Sequence, residues 1–288
     1  MNDSHVTGLS DGRDLGWLEL GDPEGTPAFA FHGTPGSRLQ LAVEDAPVRA
    51  VDVRLICPDR PGYGLSSFQP GRLLTDWPGD VAQLADHLGI ERFAVIGVSG
   101  GGPHAAVCAA ALGDRVTSAA IVSGVGQFSD PRATEGMMRL NQILAQLSRR
   151  KSRVLRIVLG LQVAALRRWP SRAFDIMLKQ LPPADVAILT RPEIRSMLEH
   201  DATQSSRTAG KAATQDLELF VADWGFDLGS ITVPVDIWQG GADRNVPSHH
   251  ARLLHEAIPG SELHWFEDEG HFMVLDHFEE ICKVLTSR

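Results

Sequence analysis

The feature that most constrains this chain is a serine set among glycines at the end of an apolar run. Residues 93–98, FAVIGV, are typical of a buried strand, and Ser99 follows directly in the string GVSGGG. The alanine-rich pattern from about Pro103 to Leu112 then predicts a helix. At such a strand–turn–helix bend the backbones nearly touch, so the positions around Ser99 must be small. The bend is either a tight turn with no catalytic role or a strained turn that holds Ser99 as an exposed nucleophile.

A serine hydroxyl is a poor nucleophile near neutral pH, so it needs a base and a carboxylate that orients the base. Two downstream residues fit these roles. Asp243 follows the apolar run VPVDIWQG, and His271 follows the next run, SELHWFEDEG. Ligands bind at the carboxyl ends of the strands in open α/β sheets, where Ser99 also emerges. We therefore predict that Ser99, His271 and Asp243 form a catalytic triad, in the order Ser-Asp-His expected on this kind of fold.

Other acids and histidines fit these roles less well. Asp268 and Asp276 are too close to His271 in sequence to orient it, and we expect them on the surface of a loop and a helix. The adjacent pair His249-His250 has no metal-ligand spacing, so we expect it to be exposed on a helix. His32 is interpreted as a brace for its own loop. His104, at the start of the helix after Ser99, either lines the pocket or, as we prefer, caps or packs.

The loop FHGTPGSR, residues 31–38, supplies the remaining part of a hydrolytic site. It follows a predicted strand and carries Gly33 and Gly36, so its backbone can approach a bound ligand closely. We predict that the Thr34 amide and the Gly100 amide donate to a developing oxyanion, because the Gly100 amide lies at a helix N-terminus. Gly33 is expected to line the same pocket.

Strand and helix patterns alternate over the first 126 residues, then stop, and return after residue 226. Near-continuous apolar strands separated by helices predict a parallel sheet with helices on both faces. Residues 127–226 look helical throughout and carry 15 Lys and Arg against 10 Asp and Glu, whereas the remainder of the chain has a net charge of −14. We therefore predict a core of residues 1–126 and 227–288, interrupted by an all-helical cap at 127–226.

Composition argues against several functional classes. The formal net charge of −9 makes nucleic acid, or an anionic membrane surface, a poor binding partner overall. The longest apolar region, residues 154–166, is interrupted by Arg156 and Gln162, so no membrane span is expected. Three widely spaced cysteines suggest neither disulfides nor a metal site, and the N-terminus does not resemble a signal peptide. We expect a cytoplasmic globular protein, and the sequence does not indicate its oligomeric state.

Six motifs together resemble the α/β-hydrolase superfamily, in its single-chain form with a helical cap. GDPEGTP, HGTPGSR, DRPGYGLS, GVSGGGP, GGADRNVP and EGHF occur in the order and with the spacing of that family. The resemblance covers the core from residue 17 to the C-terminus and implies the α/β-hydrolase fold, a mostly parallel central sheet flanked by helices. It implies the same triad. Asp59, Arg60 and Gly62 match a family turn that we interpret as structural.

The resemblance narrows the reaction to acyl transfer to water. Serine at position 99 argues against the branches of the family that use a carboxylate nucleophile there. We expect an esterase-type hydrolase that works through an acyl-enzyme on a small or medium-sized carboxylic ester or lactone, with no cofactor. The cap is expected to roof the pocket, and its replacement by a linker should spare the sheet. Alternatives are a ligand receptor on the same fold, a lyase, or a hydrolase of carbon–carbon bonds.

Overall fold

An eight-stranded sheet forms the centre of the computed structural model, which describes residues 4–42, 48–128, 131–205, 207, 208 and 210–288. The strands, in chain order, are β1 (Ser4–Gly8), β2 (Asp14–Gly21), β3 (Thr26–Phe31), β4 (Val53–Pro58), β5 (Phe93–Val98), β6 (Val116–Val122), β7 (Val235–Gly240) and β8 (Glu262–Phe266). Their order in the sheet is β1-β2-β4-β3-β5-β6-β7-β8. In that order, the six strands β4, β3, β5, β6, β7 and β8 run parallel to one another. At one edge, β2 runs antiparallel to its two neighbours, β4 and β1. The predicted α/β-hydrolase fold with a mostly parallel sheet is confirmed.

The described helices are α1 (Trp77–His87), α2 (Gly102–Ala111), α3 (Arg139–Arg149), α4 (Arg153–Arg168), α5 (Pro170–Leu178), α6 (Pro183–Leu189), α7 (Pro192–Ser205), α8 (Lys211–Val221), α9 (His249–Ala257) and α10 (Val274–Thr286). They give the sheet two buried cores. Side chains of α1, α2 and α9 cover one face. Side chains of α10, joined by some from α5, α6 and α7, cover the other. Both faces are therefore shielded from water, which agrees with the near-continuous apolar strands.

The N-terminal strand β1 was missed by the sequence analysis. Its five residues, SHVTG, are mostly exposed and lack an apolar run, so the pattern gave no signal. The strand exists because it pairs with β2, in register from Ser4 opposite Leu18 to Gly8 opposite Asp14. The tight connection between them contains Gly12 at φ +85°, a backbone conformation that glycine adopts without strain.

Between β6 and β7 the described residues contain helices and no strand, as the sequence pattern predicts. This helical segment, residues 127–226, is not a separate layer throughout. Trp224 is 1% exposed and packs into the same core cluster as residues of α1, α2 and β3. The last residues of the segment therefore contribute directly to the core beside the sheet.

Candidate active site

Ser99 occupies a sharp bend between β5 and α2. Its φ is +54°, the left-handed region that a non-glycine residue seldom adopts, and its side chain is half-buried. The flanking glycines are needed for space. A Cβ on Gly97 would lie 2.4 Å from the Gly101 carbonyl oxygen, and one on Gly101 would lie 2.1 Å from that of Phe31. Strand and helix backbones thus meet at the bend, which holds Ser99 at the carboxyl end of β5.

Asp243 and His271 are joined by a short hydrogen bond. The His271 Nδ1 atom lies 2.7 Å from Asp243 Oδ2, and both side chains are almost fully buried. The other carboxylate oxygen, Oδ1, accepts the amides of Asn245 and Val246 at 2.8 and 2.9 Å. Asp243 follows β7 and His271 follows β8, at the edge of the sheet where Ser99 follows β5. The structure therefore places all three predicted residues at one edge and pairs the acid with the base.

A second carboxylate, Asp185 of α6, lies against the His271 loop. Its Oδ1 accepts the Phe272 amide at 2.9 Å, and a Cβ on Gly270 would lie 2.3 Å from the same oxygen. Burial alone would lower the pKa of His271, but the charges of Asp243 and Asp185 outweigh burial and raise that pKa. Asp185 carries no signal in the sequence, because one acid in an amphipathic helix looks like part of a solvated face.

The loop that carries Gly33 and Thr34 packs directly on the serine bend. A Cβ on Gly33 would lie 3.3 Å from the Ser99 Cβ, and one on Gly100 would lie 2.4 Å from Thr34 Oγ1. The Gly33 amide donates to Gln40 Oε1 at 2.6 Å. Within the described ranges, no acceptor is found for the Thr34 amide. The structure thus brings together Gly33, Thr34, Ser99 and Gly100.

Asp216 of α8 reaches beneath this loop and forms buried ion pairs with two arginines. Arg60 Nη1 lies 2.7 Å from Asp216 Oδ2, and Arg72 bonds to Oδ1. Thr34 Oγ1 donates to the same Oδ2 at 2.8 Å. Burial would raise the pKa of Asp216, but the two guanidinium groups outweigh burial and hold the pKa well below its usual value. Asp216 was missed too, since no sequence signal links an acid in the helical segment to a core loop.

Arg60 does more than form a turn. Its Nη2 donates to the Gly33 carbonyl and to Thr34 Oγ1, both at 2.8 Å, and its side chain is fully buried. Arg60 therefore fastens the Thr34 loop to Asp216. The expectation that the sheet is independent of the helical segment does not fit this arrangement, because two buried arginines of the core depend on an acid from that segment.

Three further histidines considered in the sequence, His32, His104 and His250, make contacts that hold the fold together. His32 donates from Nδ1 to the Gly33 carbonyl at 2.8 Å and accepts the Arg60 amide at Nε2, which agrees with the expected brace. His104 is buried, with Nδ1 3.0 Å from the Gly100 carbonyl, in line with packing rather than catalysis. The expectation that His250 is exposed was wrong. It is fully buried, where Nδ1 accepts the Gly126 amide and Nε2 donates to the Ala133 carbonyl.

One group of possible metal ligands lies away from this site. Asp236, Glu262 and His264 bring their ligand atoms within 4.8 Å of one another near the starts of β7 and β8, far along the strands from Asp243. Arg288 bonds to Asp236 at 3.0 Å and to Glu262 at 2.8 Å. An ion pair thus accounts for these carboxylates.

An open sheet with a serine bend and a paired Asp and His at one edge defines an α/β protein of the hydrolase type. Comparison with known proteins agrees. A model of the alpha/beta hydrolase fold family matches residues 30–278, and the chain belongs to that family. No described helix is both long and apolar enough to cross a bilayer.

The relatives cover most of the chain at low identity. The uncharacterized hydrolase YcgS of Bacillus subtilis (strain 168) is 28% identical over 92% of this chain and 90% of its own length. A dihydrolipoyllysine-residue acetyltransferase component of an acetoin cleaving system, from Pseudomonas putida, is 28% identical over 94% of this chain, which spans 65% of that protein. The crystal structure of an enol-lactonase from Burkholderia xenovorans LB400 superposes with a TM-score of 0.70 at 20% identity, covering 98% of both chains.

Proposed function

We propose that the protein is a serine hydrolase that cleaves a small or medium-sized carboxylic ester or lactone through an acyl-enzyme. The observation that carries the proposal is the 2.7 Å bond between His271 Nδ1 and Asp243 Oδ2 at the sheet edge where Ser99 stands in a left-handed conformation. A structural turn needs neither a strained serine nor a buried acid–base pair. A non-glycine residue in a strained backbone conformation is typical of functional sites.

In this mechanism Asp243 holds His271 with Nδ1 protonated, so that Nε2 is free to accept the Ser99 proton. The Ser99 oxygen attacks the acyl carbon, and the negative charge moves to the carbonyl oxygen. The Gly100 and Thr34 amides stabilise that oxygen. His271 then gives its proton to the leaving alcohol. Water attacks the acyl-enzyme by the same route, releases the acid and restores Ser99.

The test is sustained turnover of short-chain p-nitrophenyl esters and of simple lactones. Replacement of Ser99 by alanine should lower kcat by about 10⁴-fold or more, because only binding and oxyanion contacts remain. Ser10→Ala, at an exposed serine, is the control and should keep the wild-type rate. A Ser99→Ala variant with a tenth of the wild-type rate would overturn the assignment.

Other outcomes identify the alternatives. A single slow burst of nitrophenol, equal to the amount of protein, would indicate a ligand receptor that retains the triad residues. Consumption of a diketone without turnover of any ester or lactone would indicate cleavage of a carbon–carbon bond. Either result would replace the proposed ester or lactone substrate.

A further inference from the structure

Part of the helical segment concentrates positive charge on the surface. Residues 136–174 contain nine Lys and Arg and no Asp or Glu, whereas the rest of the chain has 18 basic and 36 acidic residues. All nine are exposed: Arg139, Arg149, Arg150, Lys151, Arg153, Arg156, Arg167, Arg168 and Arg172. In the part of the chain that the structure describes, none of them pairs with a carboxylate. Their charge is therefore available to a partner of opposite sign.

Helix α4, inside this stretch, is apolar on two opposite sides. On one side Leu155 and Leu159 are buried and pack with Ala213 of α8. On the other side Val154, Ile157 and Leu161 are 52%, 62% and 68% exposed. Their spacing of three and four residues places them in one stripe along the helix. One apolar side is explained by packing, whereas more than half of each side chain on the other side is exposed.

Further exposed apolar side chains accompany this stripe. Trp169, the residue after α4, is 50% exposed, and the Arg168 guanidinium lies 5.5 Å from its ring centroid. Leu140 and Ile143 of α3 and Ile176 of α5 are exposed as well, on helices that contact α4. We call the α4 stripe, Trp169 and the nine basic residues the basic apolar face.

We propose that the basic apolar face binds the surface of an anionic lipid bilayer. A helix that combines an exposed apolar stripe with many Lys and Arg, and carries a Trp, lies in the interface between lipid headgroups and acyl chains. Anionic lipids attract the basic residues while the stripe enters the interface. A second copy docked through the same face would bring nine positive charges against nine others, so we favour lipid over a symmetric dimer.

The net charge of −9 does not oppose this binding. The Debye length is about 8 Å at physiological ionic strength, so a bilayer senses the charge of the face it touches. The expectation that an anionic membrane surface is a poor partner rested on the average charge of the chain, and the local charge of residues 136–174 has the opposite sign.

Docking through this face would leave the candidate active site one helix away from the lipid. The buried side of α4 packs on α8, which carries Asp216 beneath the Thr34 loop and Phe220 beside Gly100. Binding itself requires no catalysis, so this proposal goes beyond the proposed function and can be tested separately.

The experiment is cosedimentation of the full chain with vesicles at low and high salt. One series contains phosphatidylglycerol mixed with phosphatidylcholine, and the other contains phosphatidylcholine alone. We expect binding to the anionic vesicles at low salt, weak binding at high salt and little binding to the neutral vesicles. Ser99→Ala should bind as the wild type does, which separates this test from the test of hydrolysis.

Two pairs of exposed substitutions locate the binding face. Arg153→Glu changes the charge by two units at an exposed position one turn before Ile157 of the stripe, and should weaken binding by roughly 30-fold, at about 1 kcal/mol per charge. Leu161→Asn should weaken it by roughly tenfold. The matched controls, Arg92→Glu and Leu73→Asn, lie outside the face at similarly exposed positions and should bind normally. Turnover of a water-soluble ester should not change in any of the four variants.

Three results would overturn the proposal. The first is no binding to anionic vesicles. The second is equal loss of binding in the matched controls, which would indicate general electrostatic adsorption. The third is a concentration-dependent dimer in size-exclusion chromatography that Leu161→Asn abolishes, which would assign the face to a second copy of the chain.

Discussion

The Asp243 carboxylate has donors on both oxygens, and this arrangement fixes what an amide at the same position would do. Asn245 and Val246 donate to Oδ1, while His271 and Gln239 approach Oδ2 at 2.7 and 3.3 Å. In Asp243→Asn the amide NH₂ would take the Oδ2 position and face His271 Nδ1. The imidazole would then keep its proton on Nε2, where it cannot accept the serine proton.

We therefore expect Asp243→Asn to lower kcat by roughly 10³- to 10⁴-fold with little change in KM. Steady-state kinetics on the best p-nitrophenyl ester measure both constants. Asp268→Asn changes an exposed acid three residues before His271 and should be nearly silent. The reverse pattern, with Asp268→Asn inactive and Asp243→Asn active, would mean that another carboxylate orients the histidine.

Asp185 should shift the pH dependence of the reaction without taking part in it. Its negative charge favours protonated His271, whose pKa is raised by Asp243 and Asp185 against the effect of burial. Only neutral His271 can act as a base, so activity rises as pH increases through that pKa. In Asp185→Asn the charge is lost, while the amide oxygen can still accept from Phe272.

The acid limb of the kcat/KM profile should therefore move to lower pH in Asp185→Asn, with the plateau rate retained. Asp276→Asn is the matched control, since Asp276 is an exposed acid on α10 paired with Arg191 and should leave the limb in place. An unchanged limb in Asp185→Asn would show that Asp185 has no electrostatic effect on His271.

At the scale of elements, helices α7 and α8 each bury one acid against the core, with opposite electrostatic consequences. Asp201 of α7 accepts the amide and hydroxyl of Ser37 at 2.8 and 2.5 Å, and burial raises its pKa to about 7. Asp216 of α8 is held ionised by Arg60 and Arg72. Helix α7 therefore buries a carboxyl group that resists ionisation, whereas α8 buries an ionised carboxylate whose charge is balanced by two arginines.

Asp201 should make the protein less stable as pH rises from about 4, where an unfolded carboxyl group ionises, to about 7. In that range the folded state holds a proton that the unfolded state has lost, so the free energy of unfolding falls with pH. Asp201→Asn resembles the protonated acid and should be more stable than the wild type at pH 8, by roughly 1 to 3 kcal/mol. The gain should vanish near pH 4.

Urea denaturation at several pH values measures this difference. Asp216→Asn is the contrasting variant, because it leaves two buried guanidinium groups without their carboxylate and should lose about 3 to 5 kcal/mol at neutral pH. A loss of stability in Asp201→Asn at pH 8 would contradict the prediction, since it would mean that the ionised carboxylate stabilises the fold.

At the scale of the whole molecule, the sequence best predicts those features that depend on residues close together in the chain. Apolar runs located the strands that precede the Thr34 loop, Ser99, Asp243 and His271, and the glycines around Ser99 located the bend, because both depend on neighbouring residues. The order of strands and turns then placed Asp243 and His271 at one edge. The paired strand β1, the buried His250 and the acids Asp185 and Asp216 depend on residues far away in the chain, which a reading of local pattern does not reach.

The same long-range contacts decide whether the core can fold without the helical segment. Arg60 is fully buried and Arg72 is 5% exposed, and both pair with Asp216. Trp224 fills part of the core cluster. Loss of the ion-pair partner costs about 3 to 5 kcal/mol, and loss of a buried Trp costs a similar amount. Together these losses approach the total stability of a typical domain, about 5 to 15 kcal/mol.

A protein in which a Gly/Ser linker replaces residues 127–226 should therefore not form a stable sheet. A second variant, in which the linker replaces only residues 139–168, lacks α3 and α4 but keeps α5 to α8 and Trp224. It should fold, because both faces of the sheet stay covered and Arg60 and Arg72 retain their carboxylate. Thermal unfolding followed by circular dichroism measures both: the second variant should unfold cooperatively, and the first should show no transition. Equal, cooperative unfolding of the two variants would mean that the core tolerates its buried arginines without Asp216, and that the helical segment is separable after all.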